Sequence, residues 1–133
     1  MSNSEPIAQV VGHLETAELD LAVLFGSRAR NQSRADSDWD IGILPGSVPV
    51  DLLRLAAELG RLVKGRVDVV NLRRAPPLLC MAVVQEGRVL VDRTGSEWAR
   101  FASLSLRRYS DTAKLRRAQN ESLDAFIAQR TKS

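Results

Sequence analysis

The stretch from Leu19 to Asp40 constrains this chain more than any other. An apolar run, Leu19 to Phe25, ends directly in Gly26-Ser27, and ten residues later comes Asp38-Trp39-Asp40. The run reads as a buried strand. A glycine and a serine at its end let backbone N–H groups approach an anion such as a triphosphate, because glycine has no Cβ to hold the ligand away. Side chains alternate along a strand, so aspartates two positions apart present both carboxylates to one side. Such a pair is a platform for a hard, oxygen-ligated cation such as magnesium. A fold that uses both halves must set the end of the first strand beside the start of the second.

The remaining composition removes competing chemistries. One cysteine, Cys80, excludes an internal disulfide and a thiolate zinc cluster, and one histidine, His13, leaves no histidine pair for zinc or copper. His13 reads as a surface or boundary residue, and Cys80, among Leu78, Leu79 and Met81, as a core residue. Ser27 lacks a histidine partner other than the remote His13, which argues against a serine hydrolase. With 133 residues, 44% hydrophobic and 26% charged, the chain fits one globular domain and leaves no space for a second catalytic one. No apolar run approaches the roughly 20 residues of a membrane span, and Met1 to Glu5 lacks a basic segment followed by an apolar one. A cytoplasmic protein without membrane contact is expected.

The net charge of +3 is unevenly spread. Residues 1–95 hold 11 basic and 12 acidic side chains, whereas residues 96–133 hold 8 and 4. A basic C-terminal segment suits an acidic protein surface or a solvated face. Aromatics at 5% offer no stacking platform, so direct nucleic-acid binding is not expected.

Periodicity predicts an α/β (α+β) domain. A first helix runs from Ser4 to about Glu18, capped by Ser4, with Ile7, Val10, Val11 and Leu14 at helical spacing. Arg28 to Arg34 form a turn and loop after the first strand. Trp39 to Leu44 is a second strand, paired hairpin-like with the first and closed by Pro45-Gly46. An amphipathic helix spans Asp51 to Lys64 with Gly65 as its stop, and Val67 to Leu72 is a third strand. Leu78 to Glu86 follows as a helix and Arg88 to Asp92 as a short strand. A last helix starts at Thr94-Gly95-Ser96-Glu97 and runs, with a break, to about Gln129.

On a helical wheel Trp98, Ala102, Leu106, Tyr109 and Ala113 share one stripe, while Leu104 and Leu115 fall outside it. Those two are a second, partner-facing surface or isolated exposed leucines. The chain thus divides into a core, residues 1–95, and a C-terminal helical extension, residues 96–133, that packs on the core and is available for partner docking.

Val67-Asp68-Val69-Val70 sets a carboxylate in a β-branched run, where a buried charge is costly. By itself Asp68 reads as a turn cap or the partner of an arginine. If its strand lies beside the one with Asp38 and Asp40, three carboxylates converge and divalent cations would offset their repulsion.

Phe25-Gly26-Ser27-Arg28-Ala29-Arg30 followed by Asp36-Ser37-Asp38-Trp39-Asp40-Ile41 resembles the signature of the nucleotidyltransferase superfamily typified by DNA polymerase β. Small size and the third aspartate make the chain similar to minimal nucleotidyltransferases, the antitoxins of HEPN and MNT toxin-antitoxin pairs. The resemblance covers residues 19–92 and, loosely, the last helix. It implies a small mixed sheet flanked by helices with a long C-terminal helix. It also implies that Gly26 and Ser27 hold the nucleotide's β- and γ-phosphates, with Arg28 and Arg30 reaching the leaving phosphates. Asp38 and Asp40 would bind two Mg2+ ions, and Asp68 would complete the catalytic metal site.

The activity implied is transfer of AMP from ATP to a tyrosine of the partner HEPN ribonuclease, which neutralises it. Where the pattern has a glycine after the arginines this chain has Asn31, which tolerates a left-handed turn. Trp39 stands where an aliphatic residue is common, and core packing is its expected role. Two alternatives stay open at this level: an antitoxin that masks its toxin by contact alone, and a nucleotidyltransferase acting on a small molecule. The second lacks the substrate-binding domain such enzymes carry.

Overall fold

The computed structural model describes residues 4–29, 38–113, 115 and 117–121. Four strands, β1 (Leu19–Phe25), β2 (Trp39–Pro45), β3 (Val67–Asn71) and β4 (Arg88–Asp92), form one mixed sheet in the order β3-β2-β1-β4. β1 is antiparallel to β2 and β4, and β2 is parallel to β3. Among the described residues, helices α1 (Ser4–Thr16), α2 (Leu52–Val63), α3 (Pro77–Glu86) and α4 (Glu97–Asp111) cover the sheet.

Both faces of β1 are covered, which is why its sequence is almost continuously apolar. Ala22 and Leu24 pack with Ile41 and Ile43 of β2 against Val10 and Leu14 of α1 and Leu55 and Leu59 of α2. Leu21, Val23 and Phe25 turn the other way, toward Cys80 and Val83 of α3 and Phe101 of α4. Leu19 joins the first cluster despite its odd position because the register with β2 shifts between Leu19 and Leu21. Asp20, beside that irregularity, is held by Arg73 at 3.5 Å and Arg93 at 3.4 Å. Fully buried side chains such as Leu24, Ile41 and Leu59 each contribute about 1.5–3 kcal/mol.

Helix ends differ from the sequence reading in ways that local hydrogen bonding explains. α1 stops at Thr16, and Glu18 takes a left-handed conformation, φ 54°, that turns the chain into β1. α2 begins as expected, with Asp51 accepting from the Arg54 N–H at 3.2 Å. Its left-handed cap is Lys64, φ 54°, rather than Gly65, and the N–H groups of both residues bond Gly60 O. His13 does sit at a boundary, and its partner is Glu58 of α2 at 3.5 Å, far away in sequence.

α4 is capped from β4. Asp92 accepts from the N–H groups of Gly95 (2.9 Å), Glu97 (3.0 Å) and Trp98 (3.1 Å), while Ser96 makes no capping bond through its side chain. Desolvation opposes ionisation of Asp92, but these amides together outweigh it and hold the carboxyl below the usual range. The predicted stripe on α4 is corrected as well. Phe101 and Ser105 are its buried residues, Trp98 stacks on Phe101 with centroids 5.9 Å apart, and Leu106 is exposed together with Leu104 and Leu115. The predicted break falls at Thr112, whose hydroxyl bonds Arg108 O and Tyr109 O. Beyond the break the described residues 113, 115 and 117–121 are helical again, and the rest of the expected continuation, 122 to Gln129, lies outside the described residues. Among the described residues no helix is long and apolar enough to cross a membrane.

Candidate active site

Strand register assembles the site. Phe25, the last residue of β1, pairs with Asp40 of β2, and Asp40 pairs with Asp68 of β3. Three adjacent strands therefore bring the Gly26-Ser27 turn and two aspartates to one end of the sheet, and Asp38 lies immediately before β2. The Trp39 N–H donates to Arg66 O at 3.0 Å, which ties the entry of β2 to that of β3.

Gly26 is required twice over. Its φ of 77° is strained for any residue with a Cβ, and a Cβ built there would lie 2.5 Å from Asp40 Oδ2. The carboxylate of Asp40 thus rests directly against the backbone of the turn. Ser27, Arg28 and Ala29 continue that turn half-buried. The Arg28 guanidinium sits 4.7 Å from the centroid of the Trp39 ring, a cation–π contact. Trp39 is core, 3% exposed, as the sequence suggested, and its ring also anchors an arginine beside the turn. Arg30, expected to accompany Arg28, lies outside the described residues.

The electrostatics single out Asp40. Burial raises its pKa, and the charges of Asp68 and then Asp38 raise it further. Asp68 is not buried as the strand pattern suggested. Its side chain, like that of Asp38, is about half exposed, 47% and 46%, because both stand at the open end of the sheet. What brings Asp68 into the cluster is its register opposite Asp40. Between the two exposed carboxylates lies Arg66, with Nε 3.9 Å from Asp38 Oδ2 and 3.7 Å from Asp68 Oδ1. Among the described residues no three ligating side chains are already closed into a metal-binding group.

The donor set nevertheless fits a hard divalent cation. All three side chains offer carboxylate oxygen, and a cation would offset the like-charge repulsion and burial that disfavour ionised Asp40. Next to it the backbone of a tight turn and Arg28 can receive phosphate oxygens. The carboxylate cluster and the turn meet in the contact between Asp40 and Gly26. The sequence profile of polymerase β nucleotidyltransferases matches residues 8–95, the stretch that contains this whole arrangement.

The chain belongs to the polymerase β nucleotidyltransferase family. Within that family it is similar to a protein adenylyltransferase, MntA, of Aphanizomenon flos-aquae, 28% identical in an alignment of 121 positions that covers 82% of this chain and 81% of the relative. A crystal structure of a toxin-antitoxin with AMP-PNP superposes with a TM-score of 0.77 at 28% identity, covering 92% of this chain and 98% of the other. The structure of a tri-AMPylated Shewanella oneidensis HEPN toxin in complex with its MNT antitoxin matches with a TM-score of 0.77 at 26% identity and the same coverages, 92% and 98%.

For this nucleotidyltransferase, sequence reading overlooked Arg66. Its signal was present as a cation two positions before Asp68, hence on the same side of an extended segment. Only the pairing of β2 with β3 shows that it reaches Asp38 too.

Proposed function

We propose that this nucleotidyltransferase is the antitoxin of a HEPN/MNT pair and transfers AMP from ATP to a tyrosine of its HEPN toxin in the cytoplasm. The observation that carries the reading is the contact between Asp40 and Gly26, which puts acidic ligands and an anion-binding turn side by side. The family match, the similarity to MntA and the likeness to complexes of toxin and antitoxin all support it.

In this reading Asp38, Asp40 and Asp68 hold two Mg2+ ions. When bound, the ions lower the acceptor's pKa and neutralise charge on the leaving diphosphate. The backbone of Gly26 and Ser27 orients the β- and γ-phosphates, and Arg28, fixed on Trp39, adds charge where diphosphate departs. The tyrosine oxygen bonds to the α-phosphorus in line with the breaking bond to the bridging oxygen. Because a phenol ionises only near pH 10, its proton needs an acceptor, and the proposal gives that role to the half-exposed Asp68 carboxylate. The products are an AMP-tyrosine phosphodiester and diphosphate. Residues 96–133, with Leu104, Leu106 and Leu115 exposed, are proposed to dock the toxin.

The test uses the full chain with its HEPN partner and ATP labelled at the α- or the γ-phosphate. Label from the α-position is expected on the toxin, at a tyrosine, and γ-label only in diphosphate. Toxin inhibited without gaining α-label would replace transfer by masking.

A further inference from the structure

The geometry points to Arg66 as a positioning residue that serves as the resident counter-cation of the acidic cluster and competes with the divalent cation for Asp38 and Asp68. The inference rests on the reading of these aspartates as metal ligands. Three features carry it. First, a single atom, Arg66 Nε, approaches carboxylate oxygens of both Asp38 and Asp68, at 3.9 and 3.7 Å, so one guanidinium screens two of the three anions. Second, the Arg66 backbone is fixed by the bond from the Trp39 N–H at 3.0 Å, so the side chain starts from a set point between the strands. Third, the Arg66 side chain is 73% exposed. It can therefore leave toward solvent without disturbing the core, and exposed ion pairs of this length are weak enough to exchange.

The consequence is a threshold. Without a divalent cation, Arg66 relieves repulsion that would otherwise loosen the junction of β2 and β3. A cation entering the cluster brings two charges against one, and has to displace the guanidinium from the same oxygens. Arg66 thereby makes the metal-free site more stable and raises the cation concentration at which it fills. In the proposed reading the Gly26-Ser27 turn and Arg28 hold the phosphates, so the effect of Arg66 falls on the metal rather than on the phosphates.

The experiment is a thermal-unfolding titration of the full chain with Mg2+ from EDTA-treated protein, for wild type, Arg66→Gln, Arg66→Lys and Asp38→Asn. Arg66→Gln is expected to unfold at a lower temperature than wild type without Mg2+, and its Mg2+-induced shift is expected to set in at about three- to tenfold lower Mg2+, in line with the loss of a weak competing pair. Arg66→Lys, which keeps the charge, should stay within about twofold of wild type. An onset of the Mg2+-induced shift for Arg66→Gln that is unchanged or moves to higher Mg2+ overturns the competition. A response identical in wild type and Asp38→Asn is a different failure: it removes the cation site itself, and the role of Arg66 with it.

Discussion

Asp40→Asn is expected to reduce AMP transfer by about a thousandfold or more while leaving the fold slightly more resistant to heat. The first effect follows from removing a carboxylate that lies against the Gly26-Ser27 turn, since electrostatic stabilisation of a transferring phosphoryl group is usually the largest catalytic contribution. The second follows from the sign of its pKa shift. Burial, with the charges of Asp68 and Asp38, raises the folded-state pKa of Asp40 above 3.8. An acid with a raised pKa destabilises the fold at neutral pH, where it is ionised, and this cost fades as pH falls through the raised value. Asparagine, of nearly the same shape, removes the cost. The same shift means that the stability gap between the variant and the wild type, measured without Mg2+, should narrow on acidification from a higher pH than an ordinary aspartate would give. Assays of transfer and thermal unfolding on the same preparations check both halves. Lost activity with a lower melting temperature would mean that Asp40 supports the fold instead of being strained by it.

Gly26→Ala carries the second large effect, and Gly95→Ala provides its control. Both glycines have positive φ, 77° and 82°, so each alanine bears the left-handed backbone cost, about 1–2 kcal/mol. A Cβ at Gly95 meets nothing within 4 Å, whereas at Gly26 it would press on Asp40 Oδ2. Gly95→Ala is therefore expected to lose stability alone. Gly26→Ala should lose stability and at least about a hundredfold in transfer, because displacing the carboxylate to which the proposal gives a catalytic role by the order of an ångström has that cost. Equal activity of the two variants would show that the turn does not set the position of Asp40.

The elements whose sequence pattern reflects their own surroundings were legible beforehand. β1 is apolar throughout because helices cover both its faces, and the Gly26-Ser27 turn and the Asp38, Asp40 pair are local signals tied to local geometry. The neighbourhood of Asp68 and Asp40 was legible only as a conditional, and the parallel register of β2 and β3 turns it into a pairing.

What remained illegible depends on contacts distant in sequence. A β-branched run predicts burial of Asp68, yet its side chain lies half exposed because it stands at the start of β3, the edge strand of the sheet. A wheel cannot tell that Ser105 and Phe101 of α4 face the sheet while Leu106 faces outward. The α4 cap comes from Asp92 of the preceding strand rather than from the serine beside the helix. Arg66 reads as one more surface cation until its two carboxylates are seen together.

The central claim is that three carboxylates beside a glycine-serine turn hold the cations that drive nucleotidyl transfer. Paramagnetic resonance of Mn2+ titrated into the full chain with AMP-PNP measures this directly, because free and bound ions give distinct signals. The account predicts two bound ions for wild type and weakened binding in Asp38→Asn, Asp40→Asn and Asp68→Asn alike. Binding in those variants that is indistinguishable from wild type, or no binding by wild type at millimolar Mn2+, would contradict it.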